Sequence, residues 1–322
     1  MIIDWQHHYL QEDLWLDKGG RSGERVVIYE NGIPRVTLQP ELYQIDKHLE
    51  AMDNAGIDIA VLSKVFIAND SEVALEECKS WDDRVSDIMR EYPGRFVAVA
   101  PIPPLGGESA FAELYRAVDA LGLKGVMMSS QVNGLTLDSE HLWPFYEKVQ
   151  SLDIPIFVHV TGKPSGYDIM NAPYDLNRGI GREFDLQMAT TRLIMGGVLE
   201  DFPDLKFVVS HMGGGISAIM ERIEQYLDFP DAPGSRIDKP FRYYFDKLYF
   251  DSAGYRIGTN ALKCALTTIK PSQLLFGTDY PQEFAEDPES LKVCIENIRS
   301  LEISEELKQQ ILGGNASKLL KL

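Results

Sequence analysis

Cysteine is scarce in this chain and poorly placed for covalent work. Only Cys78, Cys264 and Cys294 occur, an odd total with no CxxC pair, so neither a disulfide framework nor a thiolate metal knuckle is expected. Each reads as a small buried apolar side chain, in keeping with a reducing cytoplasm. Basic residues are also short. The 31 Lys and Arg face 49 Asp and Glu, a formal net charge of −18. That balance argues against nucleic acid and anionic membrane as partners, since both want a basic face. It does not exclude a small acidic substrate, because a few local Lys or Arg reverse the field inside a cleft. No apolar run approaches the roughly 20 residues that a bilayer demands. The opening carries Asp4 where a leader would carry basic and then apolar residues, so a cytoplasmic location is expected. The glycines of HMGGG lack the GxGxxG and GxxxxGK[ST] spacings of nucleotide loops. They read as a close backbone turn around His211.

What is present is a rhythm. Short apolar, β-branched runs recur eight times: MIIDWQHH at the start, then 57–66, 95–103, 123–131, 154–160, 205–213, 247–254 and 273–281. Most are apolar throughout, as strands buried on both faces are. Helical periodicity fills the intervals, with glycine stops at Gly56 and Gly122 and a proline stop at Pro203. Strand and helix alternating eight times predict an α/β fold of the (β/α)8 barrel type, one domain over 1–322. A length of 322 residues and 44% hydrophobic content suit one large barrel. Residues 11–40 break the rhythm. RVVIYENGIPRVTL reads as a hairpin turning at Asn31-Gly32, an insertion after the first strand that serves as a lid or an oligomer contact. The stretch 228–240 reads as a second long loop.

Chemistry in such a barrel belongs at the C-terminal ends of the strands. The unusual polar residues fall there. Asp4, Gln6 and His8 end the first run, His159 the fifth, His211 the sixth, Asp251 the seventh and Asp279 the eighth. Strand alternation puts Asp4, Gln6 and His8 on one face and turns His7 away; only a bulge would bring His7 back. Each residue alone has a structural reading, as a hydrogen-bonded core histidine or a turn aspartate. Their meeting at separate strand ends is harder to explain so. Imidazoles with a carboxylate suit one divalent ion, Zn, Mn or Fe, with Zn or Mn the expected one. His48 and His141 read as surface or helix-face residues. Trp5, Phe157, Tyr280 and Phe284 are placed to wall a planar substrate or, equally, to pack the core.

These residues in this order resemble the amidohydrolase superfamily, most closely the branch of aminocarboxymuconate-semialdehyde, γ-resorcylate and carboxyvanillate decarboxylases. The resemblance is carried by IDWQHH, PIFVHV, GGVLEDFPDLKFVVSHMGGG, LYFDSAG, LLFGTDYP and ILGGNASKLL. It implies that His8, His159 and Asp279 are metal ligands, with His211 and Asp279 catalytic. It also implies that Arg222, eleven residues after His211, binds an acidic substrate from a neighbouring subunit's side. That reading, with the 11–40 insertion, makes a homodimer or a larger homo-oligomer the expected state. Lys64, at the end of the second run, is a further candidate for the acid; an exposed surface lysine is the plainer reading. The departure from the family is Gln6, where its opening Asp-x-His-x-His or its Glu variant supplies a ligand. A Gln carbonyl is neutral and a weaker donor, leaving Asp279 as the only formal negative charge.

Two reactions fit the cluster. One is metal-dependent, non-oxidative loss of CO2 from a small aromatic or unsaturated acid, with Asp279 and His211 relaying the proton. The other is hydrolysis of a small amide or lactone, with the same pair taking a proton from water and the metal weakly held or absent. A non-catalytic binding barrel is the remaining alternative, and only Gln6 favours it.

Overall fold

The structure, a computed structural model, describes every residue except 31, 65–70, 171–173, 228–231, 233 and 255–257. Eight parallel strands follow one another round a single sheet: β1 Ile3–Tyr9, β2 Ile59–Lys64, β3 Phe96–Ala100, β4 Gly125–Ser129, β5 Pro155–His159, β6 Lys206–Val209, β7 Tyr249–Asp251 and β8 Leu274–Leu275. Backbone bonds beyond β8 carry the sheet back to β1. Trp5 N–H donates to Phe276 O at 2.8 Å, Asp279 N–H to Gln6 O at 2.9 Å and His8 N–H to Tyr280 O at 2.6 Å. The expected (β/α)8 barrel is what the chain forms, and strand order equals chain order, as short right-handed crossovers require.

Apolar strands make two cores. Ile3, Trp5, Val61, Val97, Val99, Met127, Phe157, Val208 and Leu275 fill the barrel interior, and the C-terminal helix Asn315–Leu320 adds Ala316, Leu319 and Leu320 to that cluster. The alternate residues of the same strands, such as Ala60, Leu62, Ala98, Val126, Ile156 and Phe207, face outward and pack under the helices. Trp5 and Phe157 meet edge to face at 6.1 Å inside the barrel, and Tyr280 is fully buried. Phe284 is buried too, so all four of these aromatics lie in core clusters.

One strand breaks the period. Asp4 pairs with Ala60 and His7 with Leu62, so three steps along β1 match two along β2. The extra residue is a bulge. Trp5 therefore points inward with the interior cluster, and the next residue, Gln6, points inward as well. Asp4 and His7 share the outer face, where they bond at 2.8 Å. The expectation that Asp4 shares a face with Gln6 and His8 is corrected by this bulge. His7 stays turned away, as alternation implies.

The stretch after β1 holds a short helix, Glu12–Asp17, and an antiparallel ribbon of Val26–Glu30 with Ile33–Leu38. Asn31 of the expected turn lies outside the described residues. This region has a small core of its own, Leu10, Leu14, Trp15, Leu38 and Leu42. Gln39 ties it to the rim by donating its amide to Pro281 O, two residues past Asp279. A second ribbon, Gln131–Val132 with Leu135–Thr136, follows β4. It turns at Asn133-Gly134, both at positive φ, an Asn-Gly signal like that of Asn31-Gly32 which the sequence reading passed over. Part of the 228–240 loop lies outside the described residues. Among the described residues no helix is long and apolar enough to cross a membrane.

Candidate metal and catalytic centre

The C-terminal ends of β1, β5, β6 and β8 bring four of the expected residues together. Ligand atoms of His8, His159 and Asp279 all lie within 4.8 Å of one another. His8 Nε2 is 2.9 Å from Asp279 Oδ1. The other ring nitrogens are occupied behind them. Ser63 Oγ donates to His7 O at 3.4 Å, so it accepts from His8 Nδ1 at 3.0 Å. His159 Nδ1 is bonded to Val160 O at 3.1 Å. Both histidines thus turn Nε2 inward, the arrangement by which a hydrogen bond on the far nitrogen sets a ligand's tautomer. Burial, then the charge of His8, hold the His159 imidazole well below its usual range, so it is neutral and can donate a lone pair. Burial alone would raise the Asp279 carboxyl; the His8 hydrogen bond and the charges of His8, His211 and His159 bring it down to about 2.

Gln6 sits at the centre of this group. Its amide Nε2 donates to Asp279 Oδ1 at 3.1 Å and lies 3.3 Å from His211 Nε2. Its Oε1 is buried and has no hydrogen-bond partner among the described residues. A buried carbonyl left unpaired is costly. Beside two inward imidazole nitrogens and a carboxylate, it completes a donor set that fits a divalent cation such as Zn or Mn.

His211 follows β6 in a tightly turned segment. His211, Met212 and Asp279 all have positive φ, at 55°, 53° and 64°. Such angles cost an L-residue roughly 1–2 kcal/mol and persist where neighbours enforce them. Gly254 is one such neighbour, since a Cβ there would lie 2.9 Å from His211 Cγ. The His211 backbone N–H donates to Asp251 Oδ1 at 3.0 Å, and its Nδ1 meets Glu183 Oε1 at 3.0 Å. Burial alone would lower this imidazole; Glu183 first, then Asp279 and Asp251, raise it to about 9. The amide of Gln6, by contrast, can donate to His211 Nε2 only when that nitrogen is bare. The two states differ by one proton on Nε2, and this is the proton the site can hold or give.

Glu183, the partner of His211, is the residue of this group that sequence reading missed. It opens helix Arg182–Met195, where an acidic residue normally serves the helix dipole. Nothing in a separation of 28 residues marks it as the partner of His211.

The remaining candidates lie apart. Lys64 is buried, and its ammonium is 2.7 Å from Glu77, which also takes Lys18 at 2.8 Å. Arg222 is exposed on helix Met220–Leu227, its guanidinium 4.9 Å from the Tyr226 ring centre. His141 is exposed as expected, but His48 is buried and bonds His7, a correction taken up below. A second acidic group, Cys78, Asp82 and Glu113, is not comparable. Arg116 forks onto both oxygens of Glu113 at 2.8 Å, and burial pushes the Cys78 thiol and the Asp82 carboxyl well up into their protonated forms.

With this geometry, a family model for amidohydrolases matches residues 3–322. The chain belongs to the amidohydrolase family. Among curated relatives, the 2-amino-3-carboxymuconate-6-semialdehyde decarboxylase of Dictyostelium discoideum is 31% identical over 285 residues, 86% of this chain and 76% of that one. The gamma-resorcylate decarboxylase of Polaromonas sp. is 29% identical over 339 residues, 99% of this chain and 98% of that one. Among solved structures, a dihydroxybenzoic acid decarboxylase from Polaromonas sp., crystallised with manganese and the inhibitor 2-nitroresorcinol, superposes with a TM-score of 0.83 at 26% identity. The match covers 100% of this chain and 97% of that one. These amidohydrolase relatives are enzymes that cleave a carboxyl group, and one is seen with a single kind of divalent metal.

Proposed function

We propose that this amidohydrolase is a metal-dependent, non-oxidative decarboxylase of a small aromatic or unsaturated carboxylic acid. The observation that carries the reading is the meeting of His8, His159 and Asp279 beside a histidine whose proton is set by Glu183. His8, His159 and Asp279, with Gln6 Oε1 at their side, would hold one Mn or Zn ion, which supplies a Lewis acid for the substrate's carboxylate and a neighbouring oxygen. The protein's own groups do the rest. His211 Nε2 gives its proton to the carbon that bears the carboxylate. The C–C bond then breaks, its electron pair returns to the unsaturated system, and CO2 leaves. Glu183 stabilises the imidazolium before transfer and keeps Nε2 aimed at the site afterwards. Asp279, held ionised, adds negative charge where the proton is carried.

The wider assembly follows the same reading. Arg222 is assigned to the substrate's acid group across a homodimer or larger homo-oligomer. Its exposure supports this, as does the exposed apolar run of Ile169, Tyr174 and Phe184 in the segment after β5. Lys64 could serve an acid only by exchanging Glu77 for it, so Arg222 is the stronger assignment. The 11–40 insertion is assigned as a lid over the centre, supported by the tie from Gln39 to Pro281. A cytoplasmic location accords with three free cysteines.

The test is turnover of carboxyl-labelled 2,6-dihydroxybenzoate, other ortho-hydroxybenzoates and muconate-like acids by metal-loaded protein. Labelled CO2 that disappears in His211→Asn is the expected result. Hydrolysis of lactones or amides with the same dependence on His211, and no CO2 from any acid, would replace this reading with the hydrolase.

A further inference from the structure

The outer face of β1 holds a buried polar chain that touches no substrate position. His48, from helix Ile45–Ala55, has Nδ1 2.9 Å from His7 Nε2. His7 Nδ1 is 2.8 Å from Asp4 Oδ2. All three side chains are buried. Since Asp4 accepts from His7 Nδ1, His7 Nε2 is bare and His48 Nδ1 donates to it. The donors therefore point one way, into the Asp4 carboxylate. That carboxylate also takes both donors of Thr278: its N–H at 2.9 Å on Oδ1 and its hydroxyl at 2.6 Å on Oδ2. The same hydroxyl oxygen accepts the Tyr280 N–H at 3.1 Å.

The residue between Thr278 and Tyr280 is Asp279. Its φ of 64° lies in the left-handed region, which is less favourable than φ < 0 for a residue with a Cβ. It is gripped on the inner side by its own N–H to Gln6 O at 2.9 Å. On the outer side it is gripped through both chain neighbours by Asp4.

We infer that Asp4 and Thr278 are positioning residues for the metal centre: the outer chain His48–His7–Asp4–Thr278 fixes the backbone turn that aims the Asp279 carboxylate at His8. This rests on the metal-centre reading above. It assigns a purpose to the buried His7 and His48, which no ligand role explains. It also explains why Asp4 stands in β1 although the bulge removes it from the site.

The test is metal affinity rather than turnover. Mn2+ and Zn2+ dissociation constants would be measured by competition with a chromophoric chelator for wild type, Thr278→Val, Thr278→Ser and Asp4→Asn, with melting temperatures alongside. Loss of a group that orients a ligand costs about 10–100-fold in affinity. Thr278→Val is expected to show that loss, while Thr278→Ser, which keeps the hydroxyl, stays within about threefold. A packing role alone would lower the melting temperature of Thr278→Val and leave its affinity unchanged, and that result overturns the inference. If Asp4→Asn does not fold, the Val and Ser pair decides. A wild type that binds neither ion overturns the metal centre itself, a failure distinct from equal binding by wild type and variants.

Discussion

His7 with Asp4 and His211 with Glu183 are the same chemical pair at nearly the same separation, 2.8 and 3.0 Å. They end in opposite states. Burial, then the charge of His8, press His7 down to about 3, and burial lifts Asp4 to about 7 against the pull of its Thr278 bonds. His211 goes the other way, to about 9. The distance to the partner does not decide this. Both side chains of the outer pair are wholly buried, and its single carboxylate is already committed to Thr278. The inner pair keeps an opening to solvent, with Glu183 at 21% exposure, and two more carboxylates, Asp279 and Asp251, act on the same ring. One pair is a brace with a neutral imidazole and the other a proton store.

Removing the store should have the larger effect. His211→Asn is expected to lower the rate of CO2 release by about a thousandfold, with circular dichroism and melting showing a folded barrel. Breaking the brace should act on stability. Asp4→Ala leaves His7 and Thr278 without their acceptor and is expected to cost about 3 kcal/mol or more in chemical denaturation. Softening the store comes next. Glu183→Gln removes the largest contribution raising His211, so the basic limb of the pH–rate profile should move to lower pH by about one unit or more. The smallest effect is on the pH dependence of melting. His211 is raised from 6.5 to about 9, so its share of stability is whole below pH 6.5 and lost as pH rises through 9. Glu183→Gln should flatten the melting curve in that window, whereas His7→Asn should leave the window unchanged, since His7 titrates far below it. A profile unmoved by Glu183→Gln would dissolve the contrast between the pairs.

Much of this molecule is legible in its letters. Eight apolar runs ending in polar residues specify the barrel, because a strand covered on both faces has no polar position to spare until it reaches the rim. His8, His159 and Asp279 could be picked out for that reason. What period-two reasoning could not see was the extra residue in β1, which moves Asp4 to the outer face and leaves Trp5 and Gln6 both inward. His48 was misplaced for a related reason. A histidine on a polar-looking helix gives no sign that a second histidine waits beneath it. Glu183 was invisible because pairing across 28 residues depends on where a helix is laid down.

The bulge also bears on how such a centre can change over generations. A substitution in β1 alters one side chain, whereas losing the one extra residue would straighten the strand and leave Gln6 and His8 both facing inward. Position 6 is open to the first kind of change. Codons for glutamine and glutamate differ at one base, so this chain stands a single mutation from a carboxylate at the heart of its centre, with the count of residues intact.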